Sequence, residues 1–208
     1  QPRSRGLGDV YKRQIQVYPA SSATATQYSF TSGSLTGYTG SIVINPSTSF
    51  PNNSRVDFNG VLGSGGTISI LSGATARLVY TGTYSNLNIV AQGSGGSGPG
   101  ALRLESNKLD SSCTVTLAGN TSIGGFATTS TISCPITDAG NGYSFSKVGS
   151  STLVLEGVNT YGGATNVNSG TLEIGTSSSL AASSAVTVSN SGSALIVNGT
   201  VGGTLMVN

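Results

Sequence analysis

The chain has 208 residues, of which 8% are charged, 36% are hydrophobic and 31 are glycine, and it contains neither histidine nor tryptophan. Without histidine, no Ser-His-Asp or Cys-His arrangement can be assembled, which excludes imidazole-based hydrolase chemistry. The formal net charge is only +2. Low charge combined with this much hydrophobic content indicates an ordered chain rather than a disordered one.

The basic residues are concentrated at the start of the chain. Residues 1–14 hold four basic residues against the single acid Asp9, a net +3, so the remainder carries −1. This string resembles the translated sequencing-adapter remnants found at the ends of open reading frames from environmental DNA. No apolar run follows it, as one would in a signal peptide. We therefore predict that residues 1–14 form a non-native or disordered tail, whose charge does not indicate nucleic-acid binding.

From Ile15 onward, short runs with alternating apolar residues are separated by Gly, Asn and Ser, the pattern of strands joined by turns. No window shows the apolar stripe of a helix, and we predict no helices. The predicted strands are Gln27–Phe30, Ser41–Ile44, Arg55–Phe58, Thr67–Leu71, Ala76–Tyr80, Leu87–Ala91, Ala101–Leu104, Thr114–Leu117, Ser130–Ser133, Tyr143–Ser146, Thr152–Leu155, Thr165–Val167, Thr171–Ile174, Ala185–Val188, Ala194–Val197 and Thr204–Val207. All-β sandwiches and barrels share this spacing, but repeats of about 20–50 residues favour a solenoid.

Residues 147–175 contain one complete structural repeat. Thr152–Leu155 and Thr171–Ile174 place Leu, Val or Ile so that every second side chain is apolar, which is the period of a strand. Turns rich in Gly and Asn lie between them. We expect a positive φ at the turn glycines, Gly157, Gly162, Gly163 and Gly170.

This window resembles the autotransporter-associated β-strand repeat. The matching positions are Lys147, Gly149, Leu153, Leu155, Gly157, Asn159, Tyr161, Gly163, Thr165, Val167, Gly170, Thr171 and Leu172. The resemblance implies an all-β, right-handed parallel β-helix, or β-solenoid, in the passenger region of a large bacterial secreted or cell-surface protein. It also implies anchoring in the outer membrane through a part not present here.

We therefore predict that residues 15–208 form a single parallel β-helix domain, a segment of a longer solenoid. At about twenty residues per coil it would make roughly nine coils, none stable by itself. Open ends would expose unpaired strand edges, so further coils of the same chain are expected at both ends.

Cys113 and Cys134 are the chain's two cysteines, 21 residues apart, or about one coil. On adjacent coils they could form a disulfide, which secretion would favour. The alternative is two small buried residues that merely stack. Two thiols without histidine leave too few ligands for a metal site. Glycine-rich residues 93–98 lack the following helix that a phosphate cradle needs, so no cofactor is expected.

Catalytic candidates are few. Glu156 and Glu173 lie nearly one coil apart in the outward phase of their strands, so they could meet on one exposed face. A saccharide-active enzyme on the β-helix scaffold that resembles pectate lyase would need such a pair; the plainer interpretation is two solvated surface charges. We expect no enzymatic activity and assign no catalytic residue. Thr24–Thr26 and Thr114–Thr116 suggest a second alternative, a flat Thr-rich binding face.

The basic residues outside the tail are scattered along the sequence, which predicts no nucleic-acid partner. They are Arg55, Arg77, Arg103, Lys108 and Lys147. No run of about twenty apolar residues occurs, so direct membrane insertion is not expected. The favoured function is a structural or adhesive surface-exposed segment, a rigid stalk or interaction surface, with host or cell-surface glycans or proteins as partners.

Overall fold

The computed structural model describes residues 14–18, 28–31, 35, 37–47, 54–60, 62–96, 98–181 and 183–208. Over these residues it contains twenty-two β-strands and no helix, as predicted. The strands are β1 (Gln14–Val17), β2 (Tyr28–Phe30), β3 (Ser41–Ile44), β4 (Arg55–Phe58), β5 (Thr67–Ile70), β6 (Thr75–Leu78), β7 (Thr83–Tyr84), β8 (Asn88–Gly93), β9 (Leu102–Leu104), β10 (Lys108–Leu109), β11 (Thr114–Gly124), β12 (Thr129–Ile132), β13 (Ile136–Thr137), β14 (Phe145–Val148), β15 (Thr152–Leu155), β16 (Thr165–Val167), β17 (Thr171–Ile174), β18 (Ser179–Leu180), β19 (Val186–Val188), β20 (Ala194–Val197), β21 (Thr200–Val201) and β22 (Leu205–Val207).

All the strand pairs are parallel and stack coil upon coil along three sides of a solenoid. The first side contains β1, β3, β5, β8, the start of β11 and β13, and β18 and β21 continue it as a separate two-stranded sheet. The second side contains β2, β4, β6, β9, the end of β11, β14, β16, β19 and β22. The third side contains β7, β10, β12, β15, β17 and β20. The predicted parallel β-solenoid is confirmed.

The solenoid has about seven turns, slightly fewer than the nine predicted. The coils near the start of the chain are longer than the assumed twenty residues. Along the first side, Gln14 pairs with Ser41, Ser41 with Thr67, Thr67 with Asn88, and Asn88 with Thr114. These steps span 27, 26, 21 and 26 residues.

Each predicted strand has a counterpart, but the sequence did not indicate all of them. Strand β1 starts at Gln14, a residue assigned to the tail; residues 1–13 and 24–26 lie outside the described residues. The structure also adds five two-residue strands, β7, β10, β13, β18 and β21. Strand β11 is 11 residues long where four were predicted, because it turns a corner and joins the first side to the second.

Inward-facing aliphatic side chains stack in columns down the axis. On the first side Ile42, Ile68, Ile89 and Val115 occupy one register column, and each is fully buried. Every coil therefore covers the apolar face of its neighbour, a contact worth about 1.5–3 kcal/mol for each such side chain.

Glycines of the repeat lie where the backbones of adjacent coils approach most closely. A Cβ at Gly149 or Gly170 would overlap backbone atoms at the corner between the second and third sides. A Cβ at Gly157 would overlap the Cys134 carbonyl, and one at Gly163 would overlap the Tyr143 backbone. Repeat glycines thus occupy all three corners of this coil.

The expected reason for these glycines was only partly right. Gly170 has a φ of 66°, as predicted, but Gly157, Gly162 and Gly163 do not have a positive φ. Close approach of the neighbouring coil, and not left-handed backbone, explains Gly157 and Gly163.

Lys147 is fully buried at an inward position of β14. Its Nζ donates to the backbone carbonyls of Val148 (3.1 Å), Gly149 (2.9 Å) and Ser169 (2.9 Å). Three acceptors match the three N–H donors of an ammonium group, so the buried charge is hydrogen-bonded although no carboxylate of the described residues pairs with it. Burial nevertheless lowers the pKa of Lys147 to about 8.

Asn159 ties three coils together inside the solenoid. It is buried, and its Oδ1 accepts from the backbone N–H of Ile136 at 3.1 Å. Its Nδ2 donates to the carbonyls of Gly157 (2.9 Å) and Ser179 (3.1 Å) and lies 3.3 Å from Ser178 Oγ. The repeat asparagine therefore satisfies backbone groups that a corner leaves without ladder partners.

The two adjacent glycines Gly162 and Gly163 provide a matched test of coil contact. Gly163→Ala should reduce the free energy of unfolding by about 1–3 kcal/mol, because its Cβ would force the Tyr143 backbone to move. Gly162→Ala should change it by less than about 0.5 kcal/mol, since its Cβ would approach nothing closer than Gly142 Cα at 3.5 Å. Urea unfolding followed by far-UV circular dichroism measures both; equal effects would contradict the account.

A second prediction concerns the pH dependence of stability. Between pH 8 and the ordinary lysine value of 10.5, the folded chain binds fewer protons at Lys147 than the unfolded chain does. Stability from this group therefore rises with pH in that window. From pH 8 to pH 9, the unfolding free energy of wild type should rise by about 1 kcal/mol relative to that of Lys147→Met. Parallel pH profiles of the two chains in urea titrations would refute it.

Candidate interaction surface

Five charged side chains form a ladder on the outer face of the second side. Asp57 of β4, Arg77 of β6 and Arg103 of β9 are register partners on three successive coils. Arg55 Nε lies 2.9 Å from Asp57 Oδ1, and Arg77 Nη1 lies 3.1 Å from Asp57 Oδ2. Arg77 Nε lies 3.2 Å from Glu105 Oε1, which Arg103 Nε also contacts. We call Arg55, Asp57, Arg77, Arg103 and Glu105 the charged ladder.

Glu105 is the centre of the charged ladder. Its Oε1 accepts from both arginines, and its Oε2 accepts from the backbone N–H groups of Phe126 (3.4 Å) and Ala127 (3.0 Å). Burial raises the pKa of the Glu105 carboxyl, but Arg103, the Ala127 N–H and Arg77 outweigh it, so the pKa is below its ordinary value. The carboxylate thereby joins three coils.

Phe126 covers the end of the ladder. Its ring lies 4.7 Å from Arg103 Cζ in a cation–π contact, yet the residue is 58% exposed. Gly98 of the preceding loop approaches the same guanidinium, and a Cβ at Gly98 would lie 2.8 Å from Arg103 Nη1 and 3.7 Å from Phe126 Cε2. Phe126 and Gly98 thus lie over the end of the ladder, where Arg103 and Glu105 are only 8% and 9% exposed.

The structure brings together residues that the sequence left apart. Arg55, Arg77 and Arg103 were described as scattered, but they lie on one face because they are separated by about one coil each. Their unequal spacings of 22 and 26 residues, which follow from variable coil length, concealed the cluster. Glu105, two residues after Arg103, is the nearby acidic residue that a search for it would have used.

Glu156 and Glu173 line the same groove on the third side, of about 380 Å³. Glu156 Oε2 accepts from Lys108 Nζ at 3.0 Å and Ser133 Oγ at 2.5 Å, and these partners lower the pKa of Glu156, Ser133 more than Lys108. Glu173 Oε1 accepts from Asn198 Nδ2 at 2.9 Å. Glu156 is therefore exposed and Glu173 is half-buried, and each carboxylate accepts a hydrogen bond from a neighbouring side chain.

Cys113 and Cys134 are both buried and are free thiols in this structure. The β11–β13 register pairs Val115 with Ile136, which places the two cysteines on adjacent coils, and Cys113 Sγ lies 3.2 Å from the Tyr84 carbonyl. Burial raises the pKa of Cys134 to about 12, and that of Cys113 is also raised by burial. The disulfide between them stays a prediction.

At the candidate Thr-rich face, Thr114 and Thr116 have Asn88 and Val90 as their neighbours on β8, and Thr116 pairs with Thr137 on β13. The threonine row at Thr116 is therefore two coils long. A threonine row also exists on the third side, where Thr129, Thr152 and Thr171 are register partners. That row is one residue wide, because the next outward positions of these strands are Thr131, Val154 and Glu173.

The described residues contain neither a metal-binding cluster nor a membrane-spanning helix. No group of three His, Cys, Asp or Glu side chains in the described part of the chain could hold a metal ion. The same part contains no helix that is long and apolar enough to cross a membrane.

The charged ladder predicts a specific stability effect. Glu105→Gln should lower the free energy of unfolding by about 3 kcal/mol, because it leaves Arg77 and Arg103 without their shared carboxylate. Glu173→Gln makes the same chemical change at a partly exposed site and should cost less than about 0.5 kcal/mol.

The same pair has a pH signature. Because the folded pKa of Glu105 is depressed, its stabilisation is present above the ordinary value of 4.5 and is lost as the pH falls through the folded value. The stability gap between the wild-type and Glu105→Gln chains should therefore narrow in urea titrations as the pH falls below 4.5. A gap that is the same at pH 3 and pH 7 would contradict this role.

Searches of curated proteins and of solved structures gave no match. One family model matches: residues 145–174 fit the passenger-associated-transport-repeat. The matched residues run from the start of β14 to the end of β17 and so cover about one and a half coils. The match agrees with the resemblance noted at residues 147–175, and it associates this coil with the passengers of autotransporters, which are secreted or displayed at the cell surface.

Proposed function

We propose that the chain is a rigid spacer in the passenger of a secreted or surface-displayed protein, and that its outer faces serve as interaction surface. The observation that carries the proposal is unbroken parallel register. From β14 to β20, strands of the second and third sides pair coil upon coil in parallel register. A stack of this kind provides length and stiffness through pairing between coils, and neither property requires a catalytic site.

Buried polar side chains support the stiffness of this part of the stack. Lys147 and Asn159 bond to backbone groups of neighbouring coils, and Ser178 Oγ donates to the Gly157 carbonyl at 2.8 Å. Such bonds cost free energy when broken inside a dry interior, so coils resist sliding and separation. Anchoring in the outer membrane belongs to the proposal, since passengers require an anchor elsewhere in the protein.

Saccharide cleavage by Glu156 and Glu173 is not part of the proposal. A glycoside-cleaving pair needs one carboxyl group that stays protonated near neutral pH. Glu156 instead has a lowered pKa beside Ser133 and Lys108. A Thr-rich face is also left out, because the aligned threonines of the described residues form only short, narrow rows, Thr129 with Thr152 and Thr171, and Thr116 with Thr137.

The spacer proposal predicts that coils can be added in register. Thr152 and Thr171 are register partners, so residues 152–170 are one exact repeat of the third side. Insertion of four extra copies of residues 152–170 before Thr171 should lengthen the folded chain by about 19 Å, since stacked strands lie about 4.8 Å apart. Small-angle X-ray scattering measures the increase in maximum dimension.

The matched control is an insert of four copies of residues 152–169, one residue shorter per coil. Each copy then shifts the register by one, turning inward side chains outward, and the chain should lose its cooperative unfolding transition. A full-length insert that fails to fold, or that folds without elongation, would overturn the spacer proposal.

A further inference from the structure

We propose that Arg77, Arg103 and Phe126 form a binding site for a saccharide that bears a carboxylate group. The inference deepens the proposed function by naming a ligand class for its interaction surface, and it rests on that proposal only for the display of this surface outside the cell. Direct geometry at the end of the charged ladder carries the argument.

Unused hydrogen-bond donors are the first observation. Arg103 uses Nε for Glu105, and its Nη1 and Nη2 have no hydrogen-bond partner among the described residues. Arg77 uses Nε for Glu105 and Nη1 for Asp57, which leaves Nη2. Because Arg77 and Arg103 are register partners, their guanidinium groups lie on adjacent coils, about 4.8 Å apart along the axis. Planar N–H pairs at this spacing suit a carboxylate.

An exposed aromatic face is the second observation. Phe126 has one face against Arg103 and is 58% exposed. The apolar C–H face of a pyranose ring can cover such a ring, as aromatic side chains do at mixed polar and apolar binding sites. The ring is in contact with the Arg103 guanidinium, so a sugar unit that covers part of the ring lies beside that guanidinium.

Gly98 leaves space beside the proposed site. Gly98 has a φ of 74°, and a Cβ there would lie between Arg103 Nη1 and Phe126 Cε2. The loop is held in place from below, since the N–H of Gly96 donates to Thr75 Oγ1 at 3.1 Å and Thr75 Oγ1 donates to the Gly100 carbonyl at 3.1 Å. Arg103 is only 8% exposed, and a side chain at Gly98 would cover part of the guanidinium that remains uncovered.

The small net charge of the charged ladder favours a sugar with one carboxylate over a more highly charged polyanion. The ladder contains three arginines and two carboxylates, a net +1, and residues 15–208 carry −1. A nucleic acid or a highly sulfated chain would meet Asp57 and Glu105 as well as the arginines, and these carboxylates would repel it. One carboxylate per sugar ring, beside an apolar ring face, matches two guanidinium edges and one phenyl ring. A neutral sugar would leave the guanidinium donors unused.

Isothermal titration of the full chain with tetragalacturonate tests the site, and the methyl-esterified tetramer is the matched neutral probe. Wild type should bind the acid and not the ester. Phe126→Ala and Arg77→Gln should each weaken binding about tenfold. Lys108→Gln removes one exposed cation from the third side, as Arg77→Gln does from the second, and should leave affinity unchanged.

The outcomes separate the possibilities. No binding of the acid, equal binding of acid and ester, or equal losses in Lys108→Gln and Arg77→Gln would each overturn the proposal. The basic residues 1–14 are the same in every variant, so they cannot produce a difference between variants. Phe126→Ala alters an exposed side chain, and its circular dichroism spectrum should match wild type. Failure of this test leaves the coil-insertion result unaffected, so the two proposals fail separately.

Discussion

Parallel hydrogen bonding between successive coils, in register, is the interaction on which the rest of this molecule depends. It fixes which residue lies above and below every other, so Ile68 covers Ile42 and Arg103 covers Arg77. A slip of one residue would turn the apolar columns outward and separate the members of the charged ladder. Core and surface are therefore specified by the same register.

Charged side chains are stabilised in different ways inside the solenoid and on its outer side. Inside, Lys147 donates to three backbone carbonyls of its corner and has no counter-ion in the part of the chain that the structure describes. Outside, Glu105 joins Arg77 and Arg103 to the backbone of the next corner. Both arrangements link neighbouring coils, but only the outer one leaves donors available to another molecule.

The sequence was sufficient for the strands and the solenoid, because alternation at Thr152–Leu155 and Thr171–Ile174 has a direct structural cause in strand geometry. It was insufficient wherever the answer depended on coil length. A cysteine pair at a spacing of 21 suggested adjacency, whereas arginines at 55, 77 and 103 did not, since their spacings differ. From the sequence, Gly163 was expected to be needed for a positive φ, because a sequence does not show which residues lie on the neighbouring coil. The stacked structure shows instead that Gly163 is in close contact with the Tyr143 backbone.

Glycine corners have a consequence for where this architecture can change. A coil whose corners are closed at Gly149, Gly157 and Gly163 has no space for an inserted loop without losing contact with its neighbour. Coils that match the repeat pattern are thus interchangeable and carry no distinctive chemistry. The residues 93–100 are one segment that does not follow the pattern. In solenoids of this type, the places where the repeat pattern fails are the places to look for recognition, and here they lie beside the charged ladder.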